Sequence, residues 1–120
     1  MDDEDGQGEP TGELPVLTAM YDLAKWLLMR VQAFPRSLRF TLGDRIAESA
    51  MDIHLALVEA AYSRDKKPHL RQANFELTKL RTLVRMAKDV RAISIKQYGY
   101  ASRCSVQVGS QVGGWLRSAR

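Results

Sequence analysis

The sequence lacks the residues and runs on which several protein classes depend. Its one cysteine, Cys104, excludes an internal disulfide and every metal site of the CxxC type. Four prolines and eight glycines in 120 residues are too few for a β-sandwich or a low-complexity chain. No apolar run approaches the roughly 20 residues that a membrane-spanning helix needs. We therefore expect one compact domain in the cytoplasm, with neither a signal peptide nor a membrane anchor.

Acidic residues are scarce after the first 13 positions. Residues 1–13 hold six of the 14 acids and no lysine or arginine, so the other 107 residues carry 18 bases against eight acids, net +10. Residues 1–13 also lack apolar periodicity, which predicts a disordered acidic tail before a folded domain over residues 14–120. The tail either aids solubility or competes with phosphates for the domain. The basic domain favours an acidic partner, nucleic acid or protein.

Apolar residues at steps of three and four predict four helices. The first covers Pro15 to Ala33, and the second begins between Leu38 and Thr41 and ends at Ser63. The third covers Pro68 to Arg91, and the fourth runs from Ser94 to about Ser118. Ser94 and Gln97 have the spacing of a capping box. Helices of this length with short turns predict an all-α, up-down-up-down antiparallel four-helix bundle.

The same steps predict which side chains face the core. The inward residues are Leu17, Met20, Ala24, Leu27 and Val31 in the first helix; Leu42, Ile46, Ala50, Ile53, Leu57 and Ala60 in the second; and Ala73, Leu77, Leu80, Val84 and Ala87 in the third. Flanking residues such as Tyr21, Leu55 and Tyr62 widen these faces. Val16, Leu23 and Trp26 fall off the first stripe, so that helix is either buried on two sides or contacts another subunit. Glycines such as Gly109 in the fourth helix predict tight packing, within the bundle or between subunits.

The segment Phe34–Ile46 is a proline-broken corner between the first two helices. Pro35 disfavours a helical conformation at the preceding residue, so the first helix must end there. The corner presents three arginines beside Phe34 and Phe40, which are expected to anchor it. The arginines are Arg36, Arg39 and Arg45. We interpret this placement as a candidate surface for an acidic partner.

The third predicted helix carries a basic ridge, defined here as Arg81, Arg85 and Lys88. Their spacing of i, i+4 and i+7 places them within about 60° on one face. Only Asp89 lies close enough in sequence to offset them, and like charges at this spacing destabilise a helix slightly unless something binds them. Binding of an acidic partner therefore competes with the simpler interpretation, a solvated helix face. Arg117, near the end of the fourth helix, extends the basic surface.

No arrangement of residues indicates catalysis or a cofactor. His54 lies among apolar neighbours and His69 stands apart across a turn, so neither has the spacing of a metal ligand. Cys104 has no histidine or acid at a spacing that would make it a nucleophile. We expect a protein that is not an enzyme and binds neither metal nor cofactor.

Three motifs resemble the accessory variability determinant (Avd) proteins of diversity-generating retroelements. They are the corner Phe34-Pro-Arg-Ser-x-Arg-Phe-Thr-Leu-Gly-Asp-Arg-Ile46, the stretch Leu80-Arg-x-Leu-Val-Arg-Met-Ala-Lys88, and Val108-Gly-x-x-Val-Gly-Gly-Trp-Leu116. The likeness covers residues 14–118. A related group, the four-helix proteins encoded in ribosomal RNA intervening sequences, shares the architecture and remains the alternative: a standalone structural or RNA-associated protein.

The Avd resemblance implies a homopentameric barrel of bundles that acts without catalysis. Such a protein is the partner of the retroelement reverse transcriptase, which copies template-repeat RNA into mutagenised cDNA. The resemblance places the family's reverse-transcriptase-binding arginines at Arg81 and Arg85. The other basic residues named above are then candidates for contact with RNA or with the RNA/cDNA hybrid.

Overall fold

The computed structural model describes residues 13–119. Four long helices fill most of this range: α1 (Glu13–Val31), α3 (Asp44–Tyr62), α4 (Lys67–Asp89) and α5 (Ile95–Ser118). A three-residue helix, α2 (Arg36–Leu38), and a π-helical turn (Arg39–Gly43) connect α1 to α3. The predicted acidic tail, residues 1–13, lies outside the described part of the chain apart from Glu13, the first residue of α1.

The long helices pack in a closed square. α1 packs against α3 and α5, and α4 packs against the same two helices, so α3 and α5 occupy opposite corners. Short connections make consecutive helices antiparallel. This agrees with the predicted all-α, up-down-up-down bundle, and residues 13–119 contain no strand. Across these residues, no helix combines the length and the apolarity that crossing a membrane requires.

The inward faces of α3 and α4 largely match the prediction. All five predicted residues of α4 are buried, as are five of the six predicted in α3, while Leu42, in the π-helical turn before α3, is half-buried. The flanking residues do not widen these faces as predicted: Leu55 is 58% exposed and Tyr62 is 87% exposed. Both point away from the bundle and leave an apolar strip on the outer surface of α3.

The inward face of α1 differs from the predicted stripe. Val16 and Leu23, which the stripe excluded, are buried, whereas Leu17 is half-buried and Tyr21 is 55% exposed. The stripe was wrong because α1 packs between α3 and α5 and therefore buries a broad arc of its surface. Burial on two sides of the helix, one of the two alternatives, accounts for Val16 and Leu23.

The corner after α1 folds more tightly than predicted. Pro35 has φ −52° and is the N-cap of α2, so helical structure resumes at Arg36, before the predicted start of the second helix. In the π-helical turn the Asp44 N–H donates to the Arg39 carbonyl, which accommodates one extra residue. Phe34 is buried against Gly43, where a Cβ would lie 3.5 Å from Phe34 Cδ2.

Three local features mark the end of α3, the end of α4 and the start of α5. Lys66 Nζ donates to the carbonyls of Ala60, Ala61 and Ser63 at the end of α3. After α4, Arg91 has φ 64°, a left-handed conformation outside the helix, so the third helix ends at Asp89 and not at Arg91 as predicted. Ser94 and Gln97 form the predicted capping box at the start of α5.

Candidate partner-binding surface

The basic ridge lies on α4, on the flank that faces α5. Leu80, Val84 and Ala87 point into the core, so the residue that follows each of them along the helix emerges at the border of the core. Arg81 and Arg85 are exposed, and Lys88 is half-buried. The structure therefore brings the three predicted residues onto one side of one helix.

Arg81 extends over α5 at Gly109. A Cβ built on Gly109 would lie 3.4 Å from Leu77 Cδ2 and 4.0 Å from Arg81 Nη1. Both distances are those of ordinary van der Waals contact, so the space above Gly109 would hold a methyl group and little more. Gly109 thus faces side chains of α4 within the bundle, and the predicted close approach of a neighbouring backbone is not seen at this glycine.

Lys88 is more constrained than the two arginines. Its Nζ lies 3.2 Å from Asp89 Oδ1 and 4.7 Å from the centroid of the Tyr98 ring. The ion pair and the cation–π contact hold the ammonium group at the junction of α4 and α5. Lys88 therefore contributes charge to the ridge but has fewer donors directed to solvent.

Arg81 and Arg85 have no carboxylate partner in the described part of the chain. The ion pairs between residues 13 and 119 join His69 to Glu59, Lys79 to Glu76 and Lys88 to Asp89. Each arginine thus presents a planar fork of N–H donors that fits a carboxylate or a phosphate. Two such forks, one helical turn apart, form the centre of the candidate surface.

The corner arginines are exposed and lie on elements other than that of the ridge. Arg36 lies in α2 and Arg39 in the π-helical turn, beside the buried Phe34. Phe40 is 67% exposed, so the prediction that it anchors the corner was wrong. It points outward because the π-helical turn rotates the chain so that Gly43 faces Phe34 instead. An exposed aromatic ring beside two arginines is also a feature of surfaces that stack on nucleic-acid bases.

Arg45 lies apart from Arg36 and Arg39, in a groove between α3 and α4. The groove has a volume of about 500 Å³ and carries three carboxylates, those of Glu48, Asp52 and Glu76. Glu76 accepts a hydrogen bond of 2.9 Å from the Ser49 hydroxyl. The groove is also lined by Lys79, so three carboxylates share it with two cations and Arg45 does not stand in a purely basic setting.

Arg117 lies near the far end of α5, away from the corner. Its Nη1 would be 3.5 Å from a Cβ on Gly113, so the guanidinium lies back along its own helix. Arg103 has the same relation to Gly99, at 3.4 Å. Arg103 is exposed and was not among the predicted site residues, although the absence of any acid from α5 is readable in the sequence.

Neither histidine lies in a site of catalytic form. His54 packs edge-on against Tyr21, with ring centroids 5.5 Å apart, and burial lowers the pKa of its imidazole below the ordinary 6.5. Its Nδ1 is buried without a hydrogen-bond partner in the described residues. His69 Nε2 lies 3.2 Å from the Ser63 hydroxyl, and its Nδ1 lies 4.0 Å from Glu59 Oε1.

Cys104 is half-buried beside Tyr100 on the α1 side of α5. A hydrogen bond with Cys104 raises the pKa of the Tyr100 phenol. Residues 13–119 contain no group of three histidine, cysteine or acidic side chains that could hold a metal ion.

A family model described as bAvd-like matches residues 16–119. The chain belongs to the bAvd-like family. No curated protein matches the sequence. The match covers all four long helices except the first three residues of α1, so the corner, the basic ridge and the Gly109 contact all lie inside the bAvd-like domain. The family suggests an Avd-type accessory protein that associates with retroelement components.

Proposed function

We propose that this bAvd-like protein is a non-catalytic accessory subunit of a diversity-generating retroelement. It binds the reverse transcriptase and the template-repeat RNA, and so supports mutagenic cDNA synthesis. The observation that carries the proposal is the pair of exposed guanidinium groups at Arg81 and Arg85, which have no ion-pair partner among residues 13–119 of a bAvd-like domain. The protein acts in the cytoplasm as a homopentamer.

The reverse transcriptase is the proposed partner of the basic ridge. Lys88 lies between Asp89 and Tyr98, so one of the three cations of the ridge is already positioned before binding. An ordered cationic surface loses less side-chain entropy when it binds than a flexible one does. Carboxylates on the reverse transcriptase would accept hydrogen bonds from the two arginine forks.

Template RNA is the proposed partner of the wider basic surface. Residues 14–120 carry a net charge of +10, so five copies would carry about +50 before the tails are counted. Arg36 and Arg39, beside the exposed ring of Phe40, are the proposed phosphate-binding residues of the corner. Affinity for RNA should fall steeply as the salt concentration rises, because binding releases counterions.

Co-purification with the reverse transcriptase of the same retroelement tests the proposal. Arg81→Ala/Arg85→Ala should weaken capture on the order of a hundredfold, from two charge-assisted contacts of roughly 1.5 kcal/mol each. Arg71→Ala is the matched control, since Arg71 is an exposed arginine near the other end of α4. Equal capture by the double variant and the control would reject the site, and no capture by the wild type would reject the function.

A further inference from the structure

α3 and α5 lie at opposite corners of the bundle and carry opposite charges. α3 contains four acids, Asp44, Glu48, Asp52 and Glu59, against one arginine, Arg45. α5 contains two arginines, one lysine and no acid. Because α1 and α4 separate the two helices, neither can neutralise the other within one chain. One side of the domain is therefore acidic and the opposite side is basic.

Both outer helix faces also expose apolar side chains. On α3, Leu55 is 58% exposed and Tyr62 is 87% exposed. On α5, Ile95 is 80% exposed and Val106 is 56% exposed. α3 thus combines apolar surface with a net negative charge and α5 combines it with a positive charge, which is the pattern of two surfaces that bind each other.

Two aromatic contacts fix the relative heights of α3 and α5 through their shared neighbour α1. Tyr21 contacts His54 of α3, and Trp26 contacts Tyr100 of α5. α1 is antiparallel to both helices, so α3 and α5 run in the same direction. Trp26 lies five residues after Tyr21 in α1. Because α3 runs the opposite way, the residue of α3 at the height of Trp26 lies five residues before His54, which is Ser49. Trp26 contacts Tyr100, so Ser49 and Tyr100 lie at about the same height.

This height relation aligns the complementary side chains. Asp52 lies three residues after Ser49 and Arg103 lies three residues after Tyr100, so Asp52 and Arg103 share one height. By the same step of three residues, Leu55 lies at the height of Val106. At one turn an acid on α3 thus has the height of a base on α5, and at the next turn an apolar residue has the height of an apolar residue. Two copies placed side by side would match these residues without any shift along the helix axis.

The guanidinium positions strengthen the alignment at both ends. Arg103 Nη1 lies back at Gly99, which is the height of Glu48, so the guanidinium falls between the heights of Glu48 and Asp52. Arg117 Nη1 lies back at Gly113, the height of Tyr62. A guanidinium beside an exposed tyrosine ring favours stacking.

We propose that the α3 face of one copy of this protein binds the α5 face of the next copy. This inference rests on the homo-oligomer of the proposed function and identifies its subunit contact. The two faces are different, so the contact is heterologous and repeats around a ring. If neighbouring copies are related by rotation about an axis parallel to the helices, residues of equal height on the two faces meet, as the alignment requires. α4, with its basic ridge, then lies on one open surface of the ring and stays accessible.

Charge reversal on each face tests the contact. The mass of the purified wild type in solution should be a multiple of the 13.5 kDa chain. Arg103→Glu alone and Glu48→Lys/Asp52→Lys together should each reduce the mass to that of one chain, because like charges then meet. The triple variant, Glu48→Lys/Asp52→Lys/Arg103→Glu, should recover the wild-type mass. All three positions are exposed, and the thermal unfolding midpoint confirms that each variant folds.

Arg85→Glu is the matched control, since it reverses an exposed arginine on the ridge of α4. It should keep the wild-type mass and lose capture of the reverse transcriptase. Arg103→Glu with the full oligomeric mass, or a triple variant that stays monomeric, would overturn the contact. If either result were found and the wild type still captured the reverse transcriptase, the contact would be wrong and the proposed function would stand. A wild type that is itself a single chain would overturn the assembly.

Discussion

Arg81 and Gly109 face each other across the boundary between α4 and α5, with Arg81 Nη1 4.0 Å from the position of a Gly109 Cβ. The same Cβ position lies 3.4 Å from Leu77 Cδ2, an ordinary contact between carbon atoms. A small residue at position 109 therefore fits between Leu77 and a proposed partner-binding arginine, whereas a large side chain would meet both.

Side-chain size at position 109 should decide the stability of the fold. Gly109→Ala should maintain or raise the stability, by up to about 1 kcal/mol, because alanine fits the contact and favours the helix. Gly109→Leu should lower it by about 1–3 kcal/mol, since its added carbons meet Leu77 and displace Arg81. Urea unfolding of the two variants checks this. Equal stability of the two would mean that the contact does not limit side-chain size.

Lys66 should stabilise the end of α3. Its ammonium donates to the carbonyls of Ala60 at 3.0 Å and Ser63 at 2.9 Å, where the helix dipole concentrates negative charge. Lys66→Met keeps the aliphatic stem and removes the donors, so it should cost on the order of 1 kcal/mol and lower the thermal midpoint by about 4 °C. Lys67→Met is the control at the next position, and equal midpoints of the two variants would contradict the capping role.

Arg91 should be replaceable with a gain in stability. Its φ of 64° belongs to the left-handed region, and the Ala92 N–H donates to the Ala87 carbonyl at 2.8 Å, as in a Schellman motif. Arg91→Gly should raise the free energy of unfolding by roughly 0.5–1 kcal/mol, because glycine has no Cβ to strain this conformation. Arg91→Ala should give no such gain. Chemical denaturation compares them, and a gain from alanine as large as that from glycine would point to another cause.

Protonation of His54 should destabilise the fold. Burial lowers the pKa of His54 in the folded protein, so below about 6.5 the unfolded chain binds more protons than the folded one. Its contribution to stability is full above that pH and declines as the pH falls. His54→Phe keeps a ring against Tyr21 and should flatten this decline, whereas His69→Gln should keep it. Thermal midpoints across the acidic range would refute the assignment if His54→Phe declined as steeply as the wild type.

The sequence predicts the faces of α3 and α4 better than that of α1. α3 and α4 each alternate apolar and charged residues, so a single stripe can be read from the spacing. α1 carries apolar residues around most of its circumference, and the spacing does not distinguish the buried Leu23 from the exposed Tyr21. Only the positions of α3 and α5 on its two sides decide which of them enters the core.

The spacing of residues in the sequence predicts the basic ridge, but it does not predict which residues of other helices surround the ridge. The steps between Arg81, Arg85 and Lys88 place them on one helix flank, and the structure confirms that placement. The contact of Arg81 with Gly109 joins residues far apart in sequence and depends on how α4 and α5 pack. The contact of Phe34 with Gly43, which accompanies the π-helical turn and the outward position of Phe40, likewise cannot be read from spacing.

The mass of the purified protein in solution, measured alone and again with the reverse transcriptase of the same retroelement, tests the proposed function most directly. For the wild type we predict an oligomer that shifts to a heavier complex when the reverse transcriptase is added. Arg81→Ala/Arg85→Ala should keep the oligomeric mass and, at the same concentrations, form much less of the complex. A complex with the double variant as abundant as with the wild type would contradict the role of the ridge, and no complex with the wild type would contradict the function itself.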